Sequence, residues 1–379
     1  MKMLQIILYS LILSMMFQLL GKYINLYRTM FKMKDLKDIQ HPKITIIIPT
    51  YNEEKVIEKS ILSIEKNSYK NYEIIVIDDN SKDNTYKILK DLENKFSNLK
   101  VFKKKGKQGK PQSLNEAFEY ASGDVILFLD ADAILPDDYL EKHIRYFANK
   151  NTEMIYVDFE AYNYHKKLIF DYQEIYFEFS RNILYSNIFS KAVFMGNGVF
   201  IKKDILKKIM PIDVNTLVDD VHMAIKLNEI GITQFFIIEP KTEIQYATSL
   251  KDLFFQHKRW YIGGLEEFFK ASVNKRFDVF ILNAFVIIML FIPIFAVAIS
   301  FKYPLLTKNI LLYYFTIIWG TLLASVFLNK KIKLPGIIFN SLITIPFMII
   351  FEYIIVFNSF ISLFKKERIW YKVNRDEVK

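Results

Sequence analysis

Between Lys43 and Gly231, short apolar runs alternate with segments of helical character, and this alternation restricts the fold more than any other feature of the chain. The apolar runs are Ile44–Ile48, Tyr72–Ile77, Leu99–Phe102, Val125–Leu129 and Met154–Phe159. The segments of helical character between them cover residues 53–66, 83–95, 111–121 and 137–149. Alternating strands and helices form a mostly parallel sheet that helices cover on both faces. The sequence therefore predicts an α/β domain over residues 43–248.

Motifs and composition exclude several classes of protein. The chain has no G-x-G-x-x-G or P-loop motif, which argues against a dinucleotide-dependent enzyme and a P-loop ATPase. It has no cysteine, which excludes disulfides, thiolate zinc sites and cysteine nucleophiles, and its 5 histidines offer little for a His-based metal site. The net charge is +10, but the lysines are scattered and long apolar runs accompany them. We therefore attribute the charge to a cytoplasmic membrane face and to local phosphate binding, and we expect no nucleic-acid partner.

The chain opens with an apolar stretch, Leu4–Leu20, that is about as long as a bilayer is thick. A signal peptide is the alternative, but the following Gly21-Lys22-Tyr23 offers no small-x-small cleavage site, which favours a retained anchor. Basic residues then crowd positions 22–37, so the positive-inside rule predicts that the next domain is cytoplasmic. Residues 1–42 are thus expected to form a transmembrane anchor and a basic linker.

Apolar stretches return after the α/β domain. The sequence predicts an amphipathic helix over 249–277, a membrane region over 278–364 and a basic tail over 365–379. Within the membrane region, Val279–Ser300 and Ile310–Leu328 can each span a bilayer, and Pro335–Phe364 is longer than one span and is interrupted by Pro346. This last stretch fits one tilted helix, a kinked helix, or a span plus an interfacial piece.

These segments predict a multi-pass protein of the plasma membrane with a cytoplasmic catalytic domain. Three simple spans after that domain place the C-terminus outside, whereas the basic tail favours the inside. A re-entrant or interfacial half of residues 335–364 would reconcile the two.

Two carboxylates, Asp130 and Asp132, follow the apolar run Val125–Leu129 directly. Ligands of open α/β sheets bind beyond the carboxyl ends of the strands, and Mg²⁺ or Mn²⁺ is usually held by one or two carboxylates plus substrate phosphates. The alternative is a helix start that merely favours acids. Because this pair lies at the strand end with no basic substitute expected nearby, we expect turnover to depend on Mg²⁺ or Mn²⁺.

Polar residues also follow the first two predicted strands and precede the fourth. Thr50, Tyr51, Asn52 and Glu53 end the first, and Asp78 ends the second, where it can accept from a nucleobase or a ribose hydroxyl. Ser81 or Asp83 is expected to cap the next helix. Lys110 offers a cation in a loop near phosphates, although a solvated basic loop is the alternative. Together these strand ends predict a nucleotide in the crevice.

Two further motifs lie toward the C-terminus. Asp219 and Asp220 begin a helix, either as ordinary acids of a helix N-terminus or as a base for an acceptor hydroxyl. Thr248–Val273 reads as an amphipathic helix, with Ser249 and Asp252 at capping-box spacing. Within it, three residues share a face: Gln256, Arg259 and Trp260. Arg suits a diphosphate, and Trp offers a flat wall for a sugar ring.

Taken in order across residues 43–262, these motifs resemble the family 2 glycosyltransferases, in particular the membrane-embedded processive type. That type includes the cellulose, chitin, hyaluronan and poly-N-acetylglucosamine synthases. The matching motifs are P-T-Y-N-E-E (49–54), D-D-N-S-x-D (78–83), G-K-x-x-x-L-N (109–115), D-A-D (130–132), F-M-G-N-G (194–198), D-D (219–220) and Q-x-x-R-W (256–260). The tail phrase W-Y-K-V-N-R (370–375) also resembles a tail common in these enzymes.

The resemblance implies a GT-A fold, which is a Rossmann-like nucleotide-diphospho-sugar transferase domain, joined to transmembrane helices. It implies that Asp78 binds uridine, that Asp130 and Asp132 bind UDP and its metal, and that Asp220 is the general base. Because the usual Glu-Asp is Asp-Asp here, Asp219 is the alternative base. It also assigns an acceptor and diphosphate site to Gly196, Asn197, Gly198, Gln256, Arg259 and Trp260.

The activity implied is the inverting transfer of a hexose or N-acetylhexosamine from a UDP-sugar to a growing polysaccharide. The alternative is the transfer of one sugar to a membrane lipid such as a ceramide or a polyprenyl phosphate, because ceramide glucosyltransferases share a similar R-W motif. A non-catalytic scaffold or transporter that retains the fold is a third reading. Expected partners are the UDP-sugar, a polysaccharide or lipid acceptor, the membrane, and an accessory subunit or a second copy of the chain.

Overall fold

The computed structural model describes residues 2–34, 42–186, 196–273, 291–365 and 371–375. Contacts divide the chain into two compact units. The sheet unit comprises Tyr23–Tyr164, Tyr185–Tyr246 and Val373–Lys379, and the helical unit comprises Met1–Lys22, His165–Leu184 and Ala247–Lys372. These boundaries differ from the predicted domains at residues 23–34, which group with the sheet instead of the anchor, and in two further places. Residues 165–184 group with the helices, and tail residue Arg375 groups with the sheet.

The sheet has seven strands in the order β3-β2-β1-β4-β6-β5-β7. The strands are β1 (Ile44–Thr50), β2 (Tyr72–Asp78), β3 (Leu99–Lys103), β4 (Val125–Phe128), β5 (Met154–Ala161), β6 (Val199–Lys202) and β7 (Gln234–Ile244). Strand β6 runs antiparallel to β4 and to β5, and the other neighbours pair in parallel. The predicted α/β class is confirmed, with a mixed sheet. Two of its strands, β6 and β7, were not predicted from the sequence.

Helices connect the strands and form the second unit. They are α1 (Lys2–Lys34), α2 (Ile57–Glu65), α3 (Thr85–Glu93), α4 (Lys110–Tyr120), α5 (Tyr139–Ile144), α6 (Leu168–Ile183), α7 (Lys203–Leu206), α8 (Asp219–Glu229), α9 (Leu250–Val273), α10 (Pro304–Leu328) and α11 (Leu334–Phe364). A 3₁₀ turn over Arg145–Ala148 continues α5, and residues 291–298 are also helical.

Strands β1, β2 and β4 form the centre of the core. Their apolar residues are almost fully buried on both faces, as in the run Ile46, Ile47 and Ile48. A parallel strand that helices cover on both sides must be apolar at consecutive positions, which is why these runs were recognisable in the sequence. In the pairing of β1 with β2, Thr50 lies opposite Asp78, so both strands end at the same edge of the sheet. This edge is where the polar loops converge.

Two helices of the helical unit, α10 and α11, are long and apolar enough to cross a bilayer by length and composition. The predicted span Val279–Ser300 lies partly outside the described residues, which resume at 291. Within α11, a π turn over Asn340–Thr344 precedes Pro346. Proline has no N–H and its ring crowds the preceding turn, and a wider π turn accommodates both effects within one helix.

Helix α1, which contains the predicted anchor Leu4–Leu20, packs closely on α10. A Cβ at Gly320 would lie 2.9 Å from the Ser10 hydroxyl oxygen and 3.4 Å from the Leu11 nitrogen, so the two helix backbones approach closely here. Buried Gln18 donates to the Thr321 carbonyl at 2.9 Å and accepts from the Ser325 hydroxyl at 2.9 Å. A side chain at position 320 would therefore require the Ser10 hydroxyl to move, and small residues with interhelical hydrogen bonds of this kind are typical of helix packing in membranes. That α1 spans the bilayer remains a prediction.

Candidate active site

The loops after β1 and β2 are tied together by hydrogen bonds. The Asp79 amide donates to the Thr50 carbonyl at 2.8 Å, and the Asn52 amide donates to the Ser81 hydroxyl at 2.9 Å. Asn52 and Asn80 have φ of 53° and 57°, a left-handed conformation that Asn tolerates better than most residues. The two loops therefore form a fixed rim at the edge of the sheet.

Asp78 lies at this rim, and one of its two carboxylate oxygens is already hydrogen-bonded. Its Oδ2 accepts from the Ser81 amide at 3.1 Å, and its buried Oδ1 has no hydrogen-bond partner among the described residues. Burial raises the pKa of the Asp78 carboxyl, although the Ser81 hydrogen bonds oppose the shift. A buried acceptor without a donor is costly unless a ligand supplies one. Neither predicted cap is the N-cap of α3, which is Asn84, but Asp83 accepts from the Thr85 amide at 3.0 Å.

The second group of predicted residues converges on Lys110, the first residue of α4. Its Nζ lies 2.7 Å from Asp130 Oδ1 and 3.8 Å from Asp219 Oδ2. A Cβ at Gly196 would lie 3.3 Å from the same Nζ and 3.9 Å from the Asp220 Cβ. Burial acts to lower the pKa of Lys110, but the three carboxylates outweigh it and raise the pKa. Residues far apart in sequence thus form one charged cluster.

The segment 196–198 approaches this cluster with its backbone. Gly196 and Gly198 have φ of 72° and 74°, where side chains are strained, and a Cβ at Gly198 would lie 2.9 Å from the Thr242 hydroxyl. The Asn197 side-chain oxygen accepts from the Asp130 amide at 3.2 Å, and so fixes the end of β4.

Asp132 is almost fully buried and contacts the C-terminal tail. Its Oδ2 accepts from Arg375 Nη1 at 2.7 Å and from the Gln245 amide at 3.2 Å. Arg375 Nε also donates to Glu53 Oε2 at 3.2 Å. Burial raises the pKa of the Asp132 carboxyl and Asp130 adds to this, while Arg375 opposes it. Arg375 therefore bridges two loops of the sheet unit.

The expectation that no basic group lies near the two aspartates is wrong in the folded structure, although it is true of their neighbours in the sequence. In the fold, Lys110 lies beside Asp130 and Arg375 lies beside Asp132, because loops that are distant in sequence meet at the edge of the sheet. Arg375 was missed as a site residue, and its one sequence signal was the tail phrase W-Y-K-V-N-R. Gln245 was missed because the strand that precedes it was not predicted.

The donor set of Asp130 and Asp132 can be compared with what Mg²⁺ or Mn²⁺ requires. Among the described residues, no group of three or more His, Asp or Glu forms a complete protein cage for a metal ion. Two carboxylates do fit the arrangement in which the protein supplies one or two hard oxygen ligands and a substrate diphosphate supplies others. In that arrangement Lys110 and Arg375, which contact the aspartates in this structure, would interact with the diphosphate or move away from the carboxylates.

The two candidate bases differ in their surroundings. Asp219 is buried, and its Oδ2 lies 3.8 Å from Lys110 Nζ. Asp220 is half-buried, and its Oδ1 accepts from the Val221 amide at 2.8 Å. The pairing of Asp219 with a cation leaves Asp220 as the more accessible carboxylate of the two.

Gln256, Arg259 and Trp260 lie on α9, in the helical unit. One of the two bonds of the predicted capping box is present, because the Ser249 hydroxyl accepts from the Asp252 amide at 3.1 Å. Trp260 stacks on His257 with ring centroids 4.7 Å apart and on Tyr176 at 6.1 Å. One part of the indole surface is thus covered by the protein itself. The roles of Gln256 and Arg259 remain predictions.

Comparison with known proteins gives this arrangement a context. Residues 45–210 match the family model described as Glycosyl transferase family 2. A beta-monoglucosyldiacylglycerol synthase from Synechocystis is 28% identical over 251 residues, which are 62% of this chain and 50% of that protein. The Escherichia coli UDP-Glc:alpha-D-GlcNAc-diphosphoundecaprenol beta-1,3-glucosyltransferase WfgD is 38% identical over 120 residues, 32% of this chain and 47% of that protein. The chain thus matches about half the length of these curated relatives.

One solved structure resembles the fold over nearly its whole length. It is the mannosyltransferase PcManGT from Pyrobaculum calidifontis in complex with GDP-Man and Mn²⁺, with a TM-score of 0.56 and 16% identity. The match covers 95% of this chain and 100% of that one. At this identity the likeness establishes a GT-A-like fold.

Proposed function

We propose, from the glycosyltransferase family 2 domain that residues 45–210 carry, that this protein transfers one sugar from a UDP-sugar to a hydroxyl of a membrane lipid. The observation that carries the proposal is the cluster of Lys110, Asp130, Asp219 and Asp220 beside the rim that holds Asp78. Such a cluster combines a cation for a diphosphate with a carboxylate that can accept a proton.

Of the two acceptors left open by the sequence, the relatives favour the lipid. One is named as a glucosyldiacylglycerol synthase and another acts on a diphosphoundecaprenol-linked sugar. Processive synthesis of a polysaccharide, the first expectation, has no such support. The helices α1, α10 and α11 expose large apolar side chains, among them Leu13, Ile317 and Ile354, which is consistent with a bilayer location for the acceptor.

Each residue has a proposed task. Asp78 accepts from the uracil ring through its uncommitted Oδ1, within the rim formed by Thr50, Tyr51, Asn52 and Glu53. Lys110 stays protonated and faces the diphosphate. Asp130 and Asp132 would hold Mg²⁺ or Mn²⁺, which supplies positive charge to the leaving group when bound.

The reaction itself is a direct displacement. The acceptor oxygen attacks the anomeric carbon, the bond from that carbon to the diphosphate oxygen breaks, and UDP leaves with inversion at the carbon. Asp220 takes the proton of the acceptor hydroxyl, and the cationic side chains stabilise the charge that develops on UDP. Gly196–Gly198 are assigned to the acceptor side of the site.

The test is a product assay with purified protein in nanodiscs. UDP-glucose, UDP-galactose, UDP-N-acetylglucosamine and GDP-mannose are each offered with diacylglycerol, ceramide or undecaprenyl phosphate, and the lipids are analysed by mass spectrometry. We expect a mass increase of one sugar on one lipid class with a UDP-sugar. A ladder of polymer products would instead support processive polysaccharide synthesis. The absence of any transfer across the panel would refute an enzymatic role.

A further inference from the structure

We propose that a pocket within the helical unit binds the acceptor lipid, and that it selects a neutral lipid alcohol such as a diacylglycerol over a lipid phosphate. This proposal rests on the lipid-acceptor function above and names the acceptor class. The pocket has a volume of about 220 Å³ and lies among α6, α9, α10 and α11. Its lining residues are Tyr176, Phe179, Tyr261, Tyr314, Ile318, Leu322, Met348, Ile349, Glu352, Tyr353 and Val356.

The walls of the pocket suit hydrocarbon. Aliphatic and aromatic side chains from α6, α10 and α11 supply most of the lining. An apolar cavity of about 150 Å³ can stay dry and hold a benzene ring, so 220 Å³ accommodates a somewhat longer hydrocarbon segment. Because α10 and α11 are also the two described helices able to span a bilayer, acyl chains are the apolar ligands most readily available to this pocket.

One carboxylate, Glu352, interrupts these apolar walls. It lies in α11, and ionisable residues within membrane segments are rare, costly and usually functional. The Tyr261 hydroxyl donates to its Oε2 at 2.8 Å, His257 Nδ1 lies 2.7 Å from its Oε1, and the Tyr172 hydroxyl donates to the same Oε1. The side chain is 20% exposed, so it is held in place yet still accessible.

These contacts leave room for one more donor. A carboxylate offers about four lone-pair sites, and the described contacts use three of them. The hydroxyl of a lipid alcohol is a neutral donor that can occupy the remaining site while the lipid rests in the pocket, and it leaves Glu352 before Asp220 takes its proton. Since an ionised carboxylate has no hydrogen to donate, it recognises donors and repels anions.

The charge of the lining explains the predicted discrimination. Among the described residues that line the pocket, none is Lys or Arg, and Glu352 is the one side chain that can carry a full charge near neutral pH. A phosphate or diphosphate placed here would have no cation as a partner and would face a carboxylate. A neutral headgroup meets neither penalty.

The pocket is also connected to the Q-x-x-R-W motif through side chains of the same unit. His257, which contacts Glu352, stacks on Trp260 with ring centroids 4.7 Å apart. Tyr176 lines the pocket and packs on the same indole. A lipid bound beside Glu352 would therefore influence the position of Trp260.

Photolabelling tests the pocket without relying on catalysis. Full-length protein in phosphatidylcholine nanodiscs is labelled with a diacylglycerol that carries a diazirine in one acyl chain, and the labelled peptides are mapped by mass spectrometry. We expect label on the pocket-lining segments 318–322 and 348–356, competition by unlabelled diacylglycerol, and at least tenfold weaker competition by phosphatidic acid with the same chains. Equal or stronger competition by phosphatidic acid, or label confined to the outer faces of α10 and α11, would overturn the proposal.

Matched variants provide the second measurement. Ile318→Phe fills the pocket, whereas the control Ile317→Phe adds the same volume at a neighbouring position that is 45% exposed. Ile318→Phe should lower labelling at least fivefold and raise the KM for diacylglycerol, with an unchanged KM for the UDP-sugar, and Ile317→Phe should do neither. If the two variants behave alike, the pocket is not the lipid site.

Glu352→Gln tests the headgroup contact separately. We expect it to weaken diacylglycerol competition about tenfold or more, the effect of losing one hydrogen bond to a charged group, and to reduce the discrimination against phosphatidic acid. If this variant does not fold, the Ile318→Phe comparison still decides the matter. Failure of the proposed function is distinguishable, because it would abolish sugar transfer to every lipid while leaving the labelling pattern unaffected.

Discussion

The ion pairs of Arg375 allow a quantitative prediction about the tail. Arg375 contacts Asp132 at 2.7 Å and Glu53 at 3.2 Å, and the three side chains are 18%, 5% and 10% exposed. Arg375→Ala leaves two buried carboxylates without the cation that bridges them. Removing one partner of a buried pair costs about 3–5 kcal/mol, and the exposure of Arg375 places this case near 3 kcal/mol. Docking of residues 373–375 should therefore weaken by about 100-fold.

Hydrogen exchange measures this loss directly. Local opening sets the exchange rate of protected amides, so the tail peptide and the Gln245 amide, which donates to Asp132 Oδ2 at 3.2 Å, should exchange about 100-fold faster in Arg375→Ala. Arg145→Ala is the matched control. Its pair with Glu141 spans 2.8 Å but is 42% and 26% exposed, which makes it worth only about 0.3–0.5 kcal/mol.

Arg375→Lys should restore part of the protection, because one ammonium cannot reproduce both guanidinium contacts. The reasoning is wrong if Arg375→Ala exchanges at the wild-type rate, or if the control Arg145→Ala accelerates exchange at Gln245 equally.

Three further predictions concern the carboxylates. Asp220→Asn should retain UDP binding and lose transfer by about 10²–10⁴-fold, while Asp219→Asn should be milder, and a calorimetric titration beside the product assay would reveal the opposite ranking. Chelation with EDTA should abolish UDP release and added Mn²⁺ or Mg²⁺ should restore it, whereas full activity after exhaustive chelation would exclude a metal at Asp130 and Asp132. Burial alone would raise the pKa of Glu73, but hydrogen bonds from Ser122, Thr45 and Lys43 lower it to about 2, so its stabilisation is complete above about pH 5 and is lost as the pH falls toward 2. Glu73→Gln should accordingly lower stability at pH 7 by about 1.5–3 kcal/mol and flatten the acid-induced decrease in Tm between pH 5 and 3, and an unchanged acid profile would contradict this.

Local sequence predicted the elements whose pattern is set by burial. Strands β1, β2 and β4 are apolar at consecutive positions because both faces are covered, and helix α9 begins after Ser249, whose hydroxyl accepts from the Asp252 amide as the spacing predicted. Strand β7 was missed because its sequence Q-F-F-I-I-E-P-K-T-E-I mixes charge and a proline into the run. Helix α6 was missed because its buried face carries Asp171, Glu174 and Glu178, which have polar partners elsewhere in the helical unit.

Local patterns were enough to identify the residue types of the site and the edge of the sheet at which they lie. Parallel strands that end together must present their following loops together, so Asp78 and Asp130 could be placed at one edge before any coordinates were known. The cation that pairs with each carboxylate could be identified only from the folded structure. Lys110 lies 20 residues from Asp130, and Arg375 lies 243 residues from Asp132, and no local pattern encodes such pairings. They follow from chain packing, because a buried carboxylate is stable only where the fold delivers a compensating charge or donor.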